Sequence, residues 1–461
     1  MRRLSPSHAA AFAWSAITVV AIAAALGVYR ARGVAGLTEV IQQGPLSDVS
    51  ITFLSTALAW LLAGAFLFLL AGRRIHSGNA LTAACFFAVA LLYVNFLRER
   101  IVYGDILDYI EAASNLFQGE HLHARYLYPP FWATLLKPLV PLGGRAIFDI
   151  CWLLNALSLF AFFFLLHAAL KRYGFSPRLA ALVTAAFLIV NAPVIRTLCY
   201  VQVNIHVMNL ILVALLLYPR SIVFSALAMS LAVHFKASPA VLVLAFLIQR
   251  DWRWLAWFAA FTLGVATLTV AAAGISPYRD FLANVGALYS GGDPSFRENS
   301  LDSFVRALFA SLGIGQALVH YVVVPLKILA AAAALAVVSR NVRRETFYER
   351  EPGQGRVLNA IPALLPLMML LSPLMWEHHG VFLALPFLVL LKKLSSAGEW
   401  TIFGAAYFLA FLVPAFDFFP WSYGRLLSLF LWLWLAWRVS GRVGTSTAFS
   451  RANAALERAT P

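Results

Sequence analysis

Of the 461 residues, 62% are hydrophobic and 12% charged, and the mean hydropathy is +0.80. That balance excludes an ordinary water-soluble domain, which has no interior large enough to hide so much apolar surface. A net charge of +15 would suggest a nucleic-acid partner in a soluble chain; in a membrane protein it reports orientation, and no nucleic acid is expected.

At the start, Arg2 and Arg3 precede a long apolar run with no small-residue cleavage site ahead of polar sequence. This reads as an uncleaved start-transfer helix. Spans are predicted near 9–29, 50–71, 79–97, 146–170, 177–195, 198–218, 221–235, 238–249, 253–273, 316–339, 357–374, 380–391, 401–415 and 424–438. They describe an all-α polytopic membrane protein of about 12–14 membrane helices, because a segment in lipid must satisfy its own backbone hydrogen bonds. The short alternating strands of a β-barrel are missing. Segments 221–235 and 238–249 are too short for full crossings and read as a hairpin, while 131–142, carrying Pro138 and Pro141, reads as an interfacial or re-entrant helix. Residues 1–440 form one predicted membrane domain, and 441–461 a short, solvated cytoplasmic tail.

Basic residues such as Arg73, Arg74, Lys171, Arg172, Arg340, Arg343, Arg344, Lys392 and Lys393 gather on one side of this arrangement. The positive-inside rule makes that side, and both termini, cytoplasmic. An inner (plasma) membrane location is expected, and Lys327 is left inside a span. Cys85, Cys151 and Cys199 lie in apolar runs without metal or disulfide spacing and read as packed thiols.

The segments that break the apolar pattern carry the chemistry. In 103–119, Ile106, Leu107, Ile110, Ala113, Leu116 and Phe117 recur at helical spacing up to Gly119, predicting an amphipathic surface helix. Asp105 and Tyr109 share one face at i, i+4, although Asp is also common at a helix start. Gln202 and Asn204 stand near the outer end of a span, either bonding between helices or facing a cavity. Lys236 sits at the hairpin apex beside His234, either snorkelling or binding an anion. The loop 274–303 carries Asn299, and Ser372–His379 places Glu377 beside His378 and His379 without the further ligands a metal site needs. All of these fall on the predicted non-cytoplasmic face, as expected of a site for a charged, hydroxylated ligand.

Together, Gly104-Asp-Ile-Leu-Asp-Tyr109, Tyr128-Pro-Pro130, Gln202-Val-Asn204, Lys236-Ala-Ser-Pro239, Asn299-Ser-Leu301 and Ser372-Pro with His378-His379 resemble glycosyltransferase family 87, of GT-C type. The resemblance implies an inverting transferase that moves a hexose, mannose in its best-known members, from a polyprenyl-phosphate sugar to a glycolipid or glycan acceptor. It implies Asp105 as catalytic base, with Tyr109, Tyr128, Gln202, Asn204, Lys236, Asn299, His378 and His379 around the substrate. No metal and no cofactor beyond the donor are expected. One departure is that Asp105 follows the third predicted span, where such enzymes usually place it after the first; two extra spans preserve its sidedness. The rival class is a lipid-carrier or solute transporter, which would carry internal repeats and mid-membrane acids.

Overall fold

The computed structural model describes residues 104–189, 191–290, 298–344, 354–413, 419–440, 442 and 444–458, together with 16, 85, 86 and 89. The spans read at 9–29, 50–71 and 79–97 lie outside the described residues apart from those few positions. The described residues are helical, without strands.

In chain order the helices are α1 (Asp105–Gln118), α2 (Phe131–Leu136), α3 (Gly144–Arg172), α4 (Pro177–Ile189), α5 (Ala192–Cys199), α6 (Asn204–Leu217), α7 (Ile222–Phe235), α8 (Val243–Gln249), α9 (Trp252–Ala273) and α10 (Ser276–Ser290). They continue as α11 (Leu301–Ser311), α12 (Val319–Arg344), α13 (Gln354–Leu371), α14 (Ala384–Leu390), α15 (Ala397–Phe411), α16 (Gly424–Val439) and α17 (Thr447–Arg458). By length and composition, three are able to cross a membrane: α3, α9 and the helix Gln316–Arg344 containing α12. The pair α4 and α5, bent by 61°, would make a fourth. Among the described residues the full-length spans are thus fewer than the sequence suggests, because Pro, Gly and polar insertions divide several apolar stretches into half-length helices. The segment read as one span at 177–195 breaks before Asn191, whose side chain accepts from Val194 N and caps α5. The two short segments read at 221–235 and 238–249 are present as α7 and the helical stretch Ser238–Gln249.

The lipid requirement is visible in α9. Past Arg253 it carries no charge, buries only Trp254 and Thr269, and exposes Leu263 and Leu268 by 68% and 71%. Such a surface is stable against hydrocarbon and not against water. Lys327, the cation embedded in α12, is paired with Asp302 of α11 at 2.5 Å. Cys85, Cys151 and Cys199 are buried and form no disulfide among the described residues.

Two expectations change. Helix α1 ends at Gly119 in the left-handed conformation (φ 79°), as its sequence predicts, but its buried face is Ile106, Tyr109, Ala112, Ala113 and Leu116. Leu107 and Phe117 are exposed. The helix packs its buried face on α2 and the turn after it. The tail read as solvated instead forms α17, with Phe449 and Leu456 buried. Ser176 N donates to Asn453 Oδ1 at 2.6 Å, and Arg178 to the Leu456 carbonyl at 2.7 Å.

Candidate active site

Four breaks between helices meet at one end of the bundle: the start of α1, the step Tyr126–Pro130 into α2, the α5–α6 turn, and the α7 terminus. The segment Met375–His379 closes the group.

The α5–α6 turn shows why the two amides stand where they do. Helix α5 ends with Gln202 N bonded to the Thr197 carbonyl at 2.8 Å and Val201 N to the Leu198 carbonyl at 3.2 Å. That is a Schellman termination, which requires a left-handed residue and usually employs glycine. Here buried Val201 takes it, at φ 53°. A β-branched residue in that region costs on the order of 1–3 kcal/mol, a strain typical of functional sites. The turn delivers Gln202 and Asn204, both fully buried, to the group.

Gln202 Oε1 accepts from Tyr109 Oη and from Tyr128 Oη, each at 3.0 Å. The Tyr109 ring stands edge-on to Tyr128 at 5.2 Å and to Trp132 at 6.4 Å, arrangements that aromatic quadrupoles favour. Tyr126 Oη accepts from Ala133 N at 3.2 Å and holds the step before α2. Lys236, extended at the end of α7, donates to Asn204 Oδ1 at 2.9 Å and lies 2.7 Å from His379 Nε2. Buried Gln202 Nε2 and Asn204 Nδ2 have no partner among the described residues. Orphaned donors at this depth are unfavourable unless a ligand engages them.

Asp105 is not the helix cap. Gly104 is, and no side-chain cap bond is made. A Cβ at Gly104 would lie 2.3 Å from the Tyr200 ring, so the glycine lets α1 begin against that ring. Half-buried Asp105 has no hydrogen-bond or ion-pair partner among the described residues. Burial, and secondarily Asp108, push its carboxyl up to about 6 against the pull of Lys236. Burial in turn pulls the Lys236 ammonium down to about 7, opposed by Asp105. Asp108 is differently placed: Arg125 lies 3.4 Å from it and 2.9 Å from Glu111. The ligand atoms of Asp108, Glu111 and His123 fall within 4.8 Å of one another, but Arg125 already supplies their positive charge.

The histidine segment is held from beneath. Glu377 receives Arg425 at 2.6 Å on one oxygen and Arg196 at 3.2 Å on the other. At Gly380 a Cβ would meet Pro193 at 2.6 Å, so this turn sits directly on α5. His379 Nδ1 accepts from Trp376 N at 3.2 Å. The His378 ring lies parallel to Trp376 at 6.4 Å, and its carbonyl accepts from Thr197. Asn299 is buried nearby, its N–H bonded to the Met375 carbonyl at 2.7 Å. Of the residues singled out by sequence, then, Tyr109, Tyr128 and Gln202 form one bonded cluster and Lys236, Asn204 and His379 another. Asp105 lies within electrostatic reach of Lys236, while Asn299 and His378 flank the group. Arg196, Arg425, Tyr200 and Trp376 were not singled out; the two arginines lie in different apolar stretches, and only the fold brings them to Glu377.

Such an arrangement can take a proton from a hydroxyl at Asp105, hold an anion at Lys236 and bind hydroxyls through the amides. Residues 126–373 match the model of glycosyltransferase family 87. That region contains Tyr128, Gln202, Asn204, Lys236 and Asn299, whereas Asp105, Tyr109 and the histidine pair lie outside it. The chain is also similar, at 27% identity over 339 residues, to the polyprenol-phosphate-mannose-dependent alpha-(1-2)-phosphatidylinositol pentamannoside mannosyltransferase of Mycolicibacterium smegmatis. The similarity covers 70% of this chain and 75% of the relative. Since the family match spans more than half of the sequence, the chain belongs to glycosyltransferase family 87 and is a membrane glycosyltransferase.

Proposed function

We propose that this chain transfers a mannosyl residue from a polyprenyl-phosphate donor to a glycolipid or glycan acceptor on the non-cytoplasmic membrane face, with inversion. The observation that carries the reading is the grouping of Asp105, a carboxylate without a hydrogen-bond partner among the described residues, with a buried lysine and two amide donors likewise unpartnered among those residues. Asp105 accepts the proton of the acceptor hydroxyl as its oxygen attacks the anomeric carbon. The C–O bond to phosphate breaks, and the polyprenyl phosphate leaves with the bonding pair. Phosphate needs little acid assistance, so the larger demand is to stabilise its charge; Lys236 meets it in a buried site. Gln202 Nε2 and Asn204 Nδ2 bind sugar hydroxyls, and Tyr109 and Tyr128 fix the Gln202 amide so that its donor end faces the sugar. Asn299 and His378 flank this group. The donor of the mycobacterial relative supplies the sugar and the carrier in this reading.

The test is the pH profile of kcat/KM for transfer from polyprenyl phosphomannose in nanodiscs. Asp105 must be ionised and Lys236 protonated. The rate should therefore rise through a pH of about 6 and fall above about 7, giving a narrow bell. In Lys236→Arg the alkaline limb should vanish, because a guanidinium stays charged. A profile flat from pH 5 to 9, or an unaltered alkaline limb in the arginine variant, would contradict these roles.

A further inference from the structure

Hydrogen-bond directions around Lys236 define a state that its charge alone does not suggest. Trp376 N–H points at His379 Nδ1 at 3.2 Å, so Nδ1 is an acceptor and bears no proton. Burial, with Lys236 and His378 next to it, holds the imidazole well below its ordinary range and hence neutral. A neutral imidazole whose Nδ1 accepts carries its proton on Nε2. That N–H faces Lys236 Nζ at 2.7 Å. An ammonium there would set two donors against each other in a buried site, which leaves both unsatisfied. Only an amine with a free lone pair completes the chain from Trp376 N–H through His379 to Lys236. From the amine the chain runs on to Asn204 Oδ1 at 2.9 Å.

We propose that Lys236 rests as an uncharged amine accepting from His379 Nε2–H, and takes up a proton from solvent when the anionic donor binds. This rests on the donor reading above and adds a regulated charge to it. Protonation converts the amine and one proton into an ammonium with no lone pair. The His379 contact then becomes donor against donor, and Lys236 is released from it towards the incoming phosphate. His379 is in this account a positioning residue: it keeps the lysine neutral until an anion arrives. The other ionisable groups facing Lys236 agree with this. Asp105 from α1 favours the charged form once it is needed, and the Tyr128 and Phe382 rings lie 5.5 and 5.9 Å from Nζ, within cation–π range. His378 is neutral, and His234 of α7 is spent on the Thr262 carbonyl.

The experiment is calorimetric binding of polyprenyl phosphomannose, without acceptor, to the full chain in nanodiscs, in buffers of differing ionisation enthalpy. The probe is a phosphodiester and keeps one negative charge throughout, so any proton taken up belongs to the protein. At about pH 8 the wild type should take up about one proton, and the donor Kd should weaken about tenfold per pH unit above roughly pH 7. Lys236→Arg, permanently charged, should bind with no uptake and a flat pH dependence, and Lys236→Met should show weak binding with no uptake. Wild-type binding without uptake would overturn the neutral lysine while leaving the donor reading intact. Uptake persisting in Lys236→Arg would overturn it in favour of Asp105. No binding by the wild type would sink the donor reading and this inference with it.

Discussion

Asp105→Asn should lower kcat by about 10²–10⁴ while leaving donor affinity close to that of the wild type. The amide matches the carboxylate in size but cannot accept a proton at neutral pH. The nearby substitute, Asp108, is occupied by Arg125 at 3.4 Å and cannot take over. Stability should barely move, since Asp105 makes no cap bond and no hydrogen bond among the described residues; its gain from the helix dipole is at most about 1 kcal/mol. Donor binding by calorimetry alongside single-turnover rates separates the two effects. A variant that loses donor binding together with rate even at about pH 6, where Lys236 is protonated without help from Asp105, would make Asp105 a structural residue.

The largest stability effect is expected at Glu377. Its side chain is 10% exposed and neutralises Arg425, itself 5% exposed, and Arg196. Glu377→Gln removes the charge and leaves two guanidiniums facing each other in a dry environment. Breaking such a buried pair costs about 3–5 kcal/mol, against which the original pairing itself contributes little net stability. The thermal midpoint of the purified protein should drop sharply. Because Glu377 precedes His378 and His379, the Lys236–His379 contact should be lost with it. The double variant Glu377→Gln with Arg425→Gln, having one fewer uncompensated charge, should recover part of the loss. An unchanged midpoint in the single variant would show that solvent reaches the cluster.

What the sequence reveals and what it hides divide on physical lines. Gln202, Asn204 and Lys236 were legible because each is a polar residue where lipid makes polarity expensive, and Asp105 and Tyr109 because they share one face of an amphipathic helix at i, i+4. Their order along the chain also carries the family resemblance. The bonded pairs were not legible. Tyr109 and Gln202 are 93 residues apart, and Lys236 and His379 are 143 apart. Nothing in a hydropathy pattern selects one polar residue over another across such a distance. The α5 ending was hidden for a different reason: a left-handed Val201 contradicts the local preference for glycine, so only the tertiary structure enforces it. Helix α17 likewise reads as a polar tail because its anchors, Phe449 and Leu456, are too few to set a pattern against its charges. Span lengths were overestimated where a proline or a buried amide sits inside an apolar run, as at Asn191.

The central claim is that the donor is a lipid-linked sugar and the transfer depends on Asp105. The most direct measurement incubates the purified chain in nanodiscs with radiolabelled polyprenyl phosphomannose and a glycolipid acceptor, and follows label into product. In parallel, the donor is replaced by radiolabelled nucleotide-linked mannose. The account predicts labelled glycolipid from the polyprenyl donor alone, and almost none with Asp105→Asn. Product formed from the nucleotide sugar, or at wild-type rate by the Asn variant, would contradict it.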